Sequence, residues 1–264
     1  MTEPLILKSV ETGVVALTLN RPASYNALSR EMLAALKAEL AAIGGDGAAR
    51  VVVLRGAGKA FCAGHDLKEM QAARAGADRG RAFFATLFAE CAEVMQMIPA
   101  LPQPVIAEVQ GIATAAGCQL VAACDMAVAA EDARFGVNGV NIGLFCSTPM
   151  VALTRNVPRK LAFEMLTTGQ FIPATRAAEI GLVNRVVTAD RLMEETAALA
   201  RLVAGKLTAA VKVGKRGFYD QIGLPLDQAY DLTGQVMVDN MLWRDTDEGI
   251  AAFLEKRAPD WAGR

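Results

Sequence analysis

Val105-Ile106-Ala107-Glu108-Val109-Gln110-Gly111-Ile112-Ala113-Thr114-Ala115-Ala116-Gly117-Cys118-Gln119-Leu120 joins a strand signal to a helix signal through a run of small residues. Val105–Val109 reads as a buried strand, and a helix begins near Ala115. Outward from this stretch the alternation repeats. Val14–Leu19, Val51–Leu54, Met126–Ala129 and Val186–Val187 are further strand signals. Between them Ser29 caps a predicted helix through Ile43, with Glu31 in its first turn and Gly44-Gly45 at its end. Arg79–Ile98 is a second long helical pattern, closed by Pro99, Pro102 and Pro104. Thr148-Pro149 starts another, because proline tolerates the first helical position. Ala174–Ile180 stops at Gly181. Strands alternating with helices predict an α/β architecture. After about residue 195 the strand signals stop, and Leu199–Tyr219, Pro225–Asn240 and Thr246–Arg257 predict helices. The expected organisation is a core over 1–195 and a helical oligomerisation region over 196–264.

Bulk properties narrow the function classes. The 264 residues are 53% hydrophobic and 21% charged, enough to bury a sizeable core without staples. A net charge of −1 gives no pull toward nucleic acid or an anionic membrane. Cys62, Cys91, Cys118, Cys124 and Cys146 are odd in number and lack C-x-x-C spacing, so they read as free thiols in a reducing compartment. Met1–Lys8 lacks the basic-then-apolar pattern of a signal peptide. Apolar runs such as Leu120–Cys124 and Met126–Ala130 are separated by Asp125 and too short to span a bilayer. The expectation is a soluble, cytoplasmic protein. Gly56-Ala57-Gly58-Lys59 follows a strand, but Ala60 stands where a phosphate loop needs Ser or Thr. No G-x-S-x-G elbow is present. His65 is the sole histidine, which removes multi-histidine metal sites.

Two turns remain as carriers of chemistry. Phe61-Cys62-Ala63-Gly64-His65-Asp66-Leu67 follows the Val51–Leu54 strand, and Gly111–Leu120 follows Val105–Val109 into a helix. Small residues let backbone approach a ligand, and a helix start presents unpaired N–H groups. Two such turns at neighbouring strand ends aim two donors at one oxygen, the requirement of an oxyanion hole. Most small-residue turns are simply tight turns, so composition alone leaves both readings open.

From about Val14 to the end the chain resembles the crotonase (enoyl-CoA hydratase/isomerase) superfamily. Leu19-Asn20-Arg21-Pro22 with Asn26-Ala27-Leu28 is similar to the family's L-N-R-P…N-A-L segment, which contacts CoA. Phe61–Leu67 resembles F-x-A-G-x-D-L, and Gly111–Leu120 resembles G-x-A-x-G-G-G-x-x-L. Thr168-Gly169 through Gly181-Leu182-Val183 and Phe253–Arg257 match later family segments. The resemblance implies a spiral of ββα units, a homo-trimer or dimer of trimers, and no metal or redox cofactor. It implies an acyl-CoA ligand whose carbonyl oxygen meets the backbone N–H groups of His65 and Ala116. Ala63, Asp66, Leu67, Lys68, Gly117, Asn138, Gly139, Cys146 and Lys256 are the further residues it places against the ligand.

The chain also departs from the family. Hydratases there use two glutamates; Gln119 stands in one position and Gly139 in the other. Gly143-Leu144-Phe145-Cys146-Ser147-Thr148-Pro149 replaces the usual loop. This variant resembles the branch that contains enoyl-CoA hydratase domain-containing protein 3. Glutamine orients a water but cannot take its proton, so weak or absent hydration of crotonyl-CoA is expected. Decarboxylation of a carboxyacyl-CoA, which needs no base, and non-catalytic acyl-CoA binding are the alternatives. The His65 side chain has a catalytic reading through its titration near neutrality; the backbone reading is preferred. Gln119 reads either as a water-positioning group or as a buried amide satisfied by backbone. Cys146 lacks a visible base and reads as a packing thiol rather than a nucleophile. Glu108 is expected to pair with a basic residue behind its sheet, Asp66 to cap a helix, and Asn138 and Asn141 to form turns. Lys256 and Arg257 read as CoA-phosphate ligands or as a solvated helix end.

Overall fold

The computed structural model describes residues 3–263. In chain order the elements are β1 (Ile6–Glu11), β2 (Val14–Leu19), α1 (Arg30–Gly44), β3 (Val51–Gly56), β4 (Ala60–Cys62), α2 (Leu67–Ala73) and α3 (Arg81–Ala100). They continue with β5 (Val105–Val109), β6 (Ile112–Thr114), α4 (Ala116–Ala123), β7 (Met126–Ala130), β8 (Arg134–Gly136), α5 (Pro149–Asn156) and α6 (Arg159–Thr168). The chain finishes with β9 (Ile172–Pro173), α7 (Ala174–Glu179), β10 (Arg185–Val187), α8 (Leu192–Ala204), α9 (Thr208–Gln221), α10 (Leu226–Met241) and α11 (Arg244–Glu255).

Three successive coils, β3-β4, β5-β6 and β7-β8, each place a long strand in one sheet and a short strand in another. The large sheet runs β1-β2-β3-β5-β7-β10 and the small one β4-β6-β8-β9. Coil stacks on coil with parallel pairing, Val53 beside Ile106 and Ala113 beside Phe135. This is the expected spiral of ββα units. The long strands are nearly continuous buried Val, Ile, Leu and Ala, as a parallel sheet covered on both faces requires. Their alternation divides the core. Val15, Leu17, Val52, Leu54, Ala107 and Val109 pack toward α1, α3 and α4. Ala16, Val53, Ile106 and Val128 pack toward Leu192, Leu199 and Ala200 of α8.

Helix signals held where a cap chemistry enforced them. The Ser29 hydroxyl accepts from the Met32 N–H (3.2 Å) and starts α1. Two boundaries differ from expectation. Helix α3 runs through Pro99 to Ala100, because only the final turn loses a bond there and the Leu101 N–H closes onto Met97 O (2.8 Å). The segment expected as one helix over Leu199–Tyr219 is two, α8 and α9, parted at Gly205, which caps α8. Helix α3 is long and apolar enough to cross a membrane, yet it buries Leu87, Cys91, Val94, Met95 and Ile98 in the core.

Candidate active site

The strands β4, β6 and β8 run parallel as neighbours, so the turns that follow them emerge on one side. Ligands in α/β proteins gather at carboxyl ends of parallel strands. The first two turns interlock through glycines. Gly64 has φ +84°, and a Cβ there would lie 3.0 Å from Thr114 O and 3.1 Å from Ala116 N. A Cβ on Gly117 would lie 2.1 Å from Cys62 O. Without side chains at 64 and 117, the first turn rests directly against the second.

The second turn is strained. Ala115 adopts φ 49°, ψ −119°, a left-handed conformation that disfavours any side chain. Its N–H donates to Gly136 O (2.9 Å). Ala116 then opens α4, where the first N–H groups have no intrahelical acceptor. Among the described residues, neither the Ala116 N–H nor the His65 N–H has a hydrogen-bond acceptor. Two unpartnered donors thus stand on adjoining turns.

The Asn26–Leu28 segment braces the first turn from outside. The Leu28 N–H donates to Gly64 O (2.7 Å) and the Ala63 N–H to Tyr25 O (3.0 Å). Asn26 is fully buried. Its Oδ1 accepts from the Arg21 N–H, and its Nδ2 donates to Ala57 O, Ala60 O and Phe61 O at 2.8–3.1 Å. The expected ligand contact is therefore not made by the Asn26 side chain, which is spent holding the β3–β4 turn. Ala27 and the Leu28 side chain are also buried. Asp66 caps α2, accepting from the Lys68 and Glu69 N–H groups. Leu67 and Lys68 are exposed just beyond it.

His65 Nδ1 lies 3.4 Å from Leu28 O, Nε2 is buried without a partner, and the ring meets Phe88 edge-on at 5.5 Å. Burial lowers the imidazole below its ordinary 6.5 despite the Leu28 carbonyl. The unfolded chain therefore binds this proton more readily. Stability from neutral His65 is present above about pH 6.5 and is lost as pH falls through the lowered value. The ring resonances of this sole histidine are expected to titrate with a midpoint below 6.5 in proton NMR; a midpoint above it would contradict the burial.

Gln119, on the first turns of α4, is 4% exposed, and its Oε1 is buried with no hydrogen-bond partner among the described residues. Buried side-chain oxygens are usually hydrogen-bonded, so this one is free to accept from a bound molecule or water. The third turn supplies the rest. The Thr114 hydroxyl donates to Asn138 Oδ1 (2.7 Å), which ties this turn to the end of β6. The Gly139 N–H donates to Cys146 Sγ (3.3 Å) and the Leu144 N–H to Gly139 O (3.0 Å). A Cβ on Gly139 would lie 2.3 Å from Leu144 O and 2.9 Å from Cys146 Sγ. Burial pushes the Cys146 thiol up, only partly offset by the Gly139 N–H. A protonated thiol is a poor nucleophile.

Other expected residues fall elsewhere. Lys256 is exposed at the left-handed end of α11, which packs on α10, and no described contact joins it to these turns. Arg257 pairs with Glu248 (2.6 Å). Glu108 pairs with Arg55 (3.6 Å) behind the large sheet. Asn141 Nδ2 donates to Gly169 O (3.2 Å). Thr114, Phe88 and the backbone of Ala115 were not anticipated. The Phe84…Phe88 spacing of four was the one visible hint, since it puts both rings on one helix face. Among the described residues no group of three or more His, Cys, Asp or Glu side chains is placed to hold a metal ion.

Residues 9–264 match the family described as Enoyl-CoA hydratase/isomerase. The chain belongs to that family. The human mitochondrial enoyl-CoA hydratase domain-containing protein 3 is 46% identical over 250 residues, covering 95% of this chain and 81% of its own length. Its Xenopus laevis counterpart is 44% identical, covering 98% and 86%. A crystal structure of an enoyl-CoA hydratase from Mycobacterium smegmatis superposes with a TM-score of 0.94 at 55% identity, covering 98% of this chain and 99% of that one. The enoyl-CoA hydratase/isomerase fold and the domain-containing-protein-3 branch are thus both established. The expected cytoplasmic location is overturned: the vertebrate relatives of this branch are named as mitochondrial.

Proposed function

We propose that the protein binds an acyl-CoA thioester with its carbonyl oxygen on the main-chain N–H groups of His65 and Ala116, and that it hydrates 2-enoyl thioesters slowly. The observation carrying this reading is the pair of unpartnered amides on interlocked turns. Addition of water at the β-carbon pushes electron density onto the thioester oxygen, and two fixed donors stabilise that enolate-like state. Each such donor contributes about 10²–10³-fold. The reading needs no metal or redox cofactor, since the main chain supplies the electrophile.

Proton handling is the deficit. A positioned acid or base contributes about 10²–10⁴-fold. Gln119 can hold a water but cannot accept its proton, His65 has its Nδ1 against Leu28 O and its Nε2 buried, and Gly139 has no room for a side chain. Crotonyl-CoA hydration is expected about 10²-fold or more below that of a two-glutamate hydratase, while the CoA thioester still binds. Turnover equal to such an enzyme would sink the proposal. The absence of an ionised base also favours a second substrate class: a malonyl-type carboxyacyl-CoA, whose loss of carbon dioxide generates the enolate unaided. Product from that thioester and none from crotonyl-CoA would select it; tight binding with no product from either would leave a binding protein.

Helices α9–α11 form the assembly surface in this reading. Leu242 and Phe253 are 81% and 83% exposed, with Leu226, Tyr230 and Leu254 alongside. Apolar exposure on that scale marks a protein interface. Light scattering is expected to give three chains per particle or a multiple of three; a monomer would contradict it.

A further inference from the structure

A cavity of about 160 Å³ lies on the face of the large sheet turned away from the candidate site. Helix α8 covers that face only partly. Its Leu192, Leu199 and Ala200 seal onto the sheet, while Met193, Ala197 and Arg201, spaced by four along one flank, stand over open floor. The floor is Val14, Ala16 and Val53, apolar side chains on alternate residues of β2 and β3.

One end of the cavity is polar. Arg55 Nη1 stands 3.6 Å from Glu108 Oε1, and Arg55 Nε is buried with no partner among the described residues. A buried guanidinium N–H without an acceptor is costly and calls for one. Thr196 sits beside Glu108 with its side chain fully buried. Arg201, which also lines the cavity, has no ion-pair partner among the described residues. Burial raises the Glu108 carboxyl, and Arg55 and Thr196 oppose the shift. Glu11 stands at the rim and is exposed.

The combination selects a ligand chemistry. Two guanidinium groups on the lining, those of Arg55 and Arg201, favour an anionic oxygen over an amine. The apolar floor favours an attached hydrocarbon chain, which excludes bare phosphate. A cavity of about 150 Å³ accepts a six-carbon ring, so 160 Å³ suits a molecule of about seven heavy atoms. We propose that this cavity binds a short-chain carboxylate of about five carbons, its carboxylate on Arg55 and its chain over Val14, Ala16 and Val53. The site is separate from the thioester site and independent of how that site reacts.

The test titrates pentanoate, pentan-1-ol and inorganic phosphate into the full-length protein by ligand-observed NMR, with and without coenzyme A. Ala197→Phe fills the cavity from α8 without changing charge, and Arg55→Gln removes the cation. Pentanoate is expected to saturate with a dissociation constant on the order of 1 mM, as befits a ligand of so few atoms. Pentanol, phosphate and both variants are each expected to bind at least tenfold more weakly, with coenzyme A without effect. If one variant fails to fold, the other decides. Absence of saturable pentanoate binding, equal binding by phosphate, unchanged binding in a folded variant, or displacement by coenzyme A would each overturn the proposal.

Discussion

Gln119→Glu is expected to raise crotonyl-CoA hydration by about 10²-fold, the lower end of what a positioned base contributes. The side chain it replaces is almost wholly buried and its Oε1 has no hydrogen-bond partner among the described residues, so a carboxylate oxygen introduced there keeps its lone pairs for water. Burial raises a carboxyl above its ordinary range, which brings it closer to working pH and makes it a better base. The gain stops at the lower end because position 139 still offers no acid. Loss of the enoyl chromophore under saturating substrate reads the rate, and Gln119→Ala is expected to stay at the starting level. A Gln119→Glu rate equal to that of the parent would show that the attacking water does not sit at this side chain.

Lys215→Met is expected to lower stability by about 3–5 kcal/mol, the range for breaking one side of a buried ion pair. Lys215 lies on α9 and is buried. Its ammonium donates to Ile98 O (2.8 Å), Gln103 O (2.9 Å) and Asp125 Oδ2 (2.7 Å). Asp125 also accepts from the Val105 N–H (2.6 Å) and the Tyr219 hydroxyl (2.7 Å). One charge therefore joins the end of α3, the loop before β5 and the start of β7 to the helical region. Methionine matches the length of the stem but takes the ammonium donor from Ile98 O and Gln103 O, and leaves the Asp125 carboxylate, still held by the Val105 N–H and the Tyr219 hydroxyl, without its counter-charge. Desolvation lowers the Lys215 ammonium, and Asp125 opposes the shift, so the partner is what keeps the charge in place. For a chain of this size the loss corresponds to about 10 °C in Tm. Urea unfolding checks it, and a change under about 1 kcal/mol would show the network to be dispensable.

The inner strands of the large sheet were legible because β2, β3, β5 and β7 are runs of four or more mostly apolar residues, largely Val, Leu, Ile and Ala, long enough to show in composition. The small sheet was not. Ala60–Cys62, Ile112–Thr114 and Arg134–Gly136 are three residues each, too short for any period, and they pair only because one coil stacks on the next. Strand β1 escaped as well, since Ile6 is its one buried residue and Lys8, Ser9 and Glu11 face outward. Within the site, the glycine turns and the Asp66 cap could be read locally, because glycine and an N-cap act on their immediate neighbours. The role of Asn26 could not. Three of its four bonds reach carbonyls 31 to 35 residues away, and a residue that bridges such distances looks in sequence like any loop asparagine.

The packing at Gly139 shapes how this chain can change. With Leu144 O and Cys146 Sγ within reach of any Cβ at this position, a carboxylate cannot be introduced there by a single codon change; the 144–146 turn must first be rebuilt. Position 119 has no such barrier. The two positions must therefore be changed in order, and a directed-evolution library that varies 139 alone is expected to return misfolded clones, whereas one that exchanges 138–149 as a cassette leaves a path open.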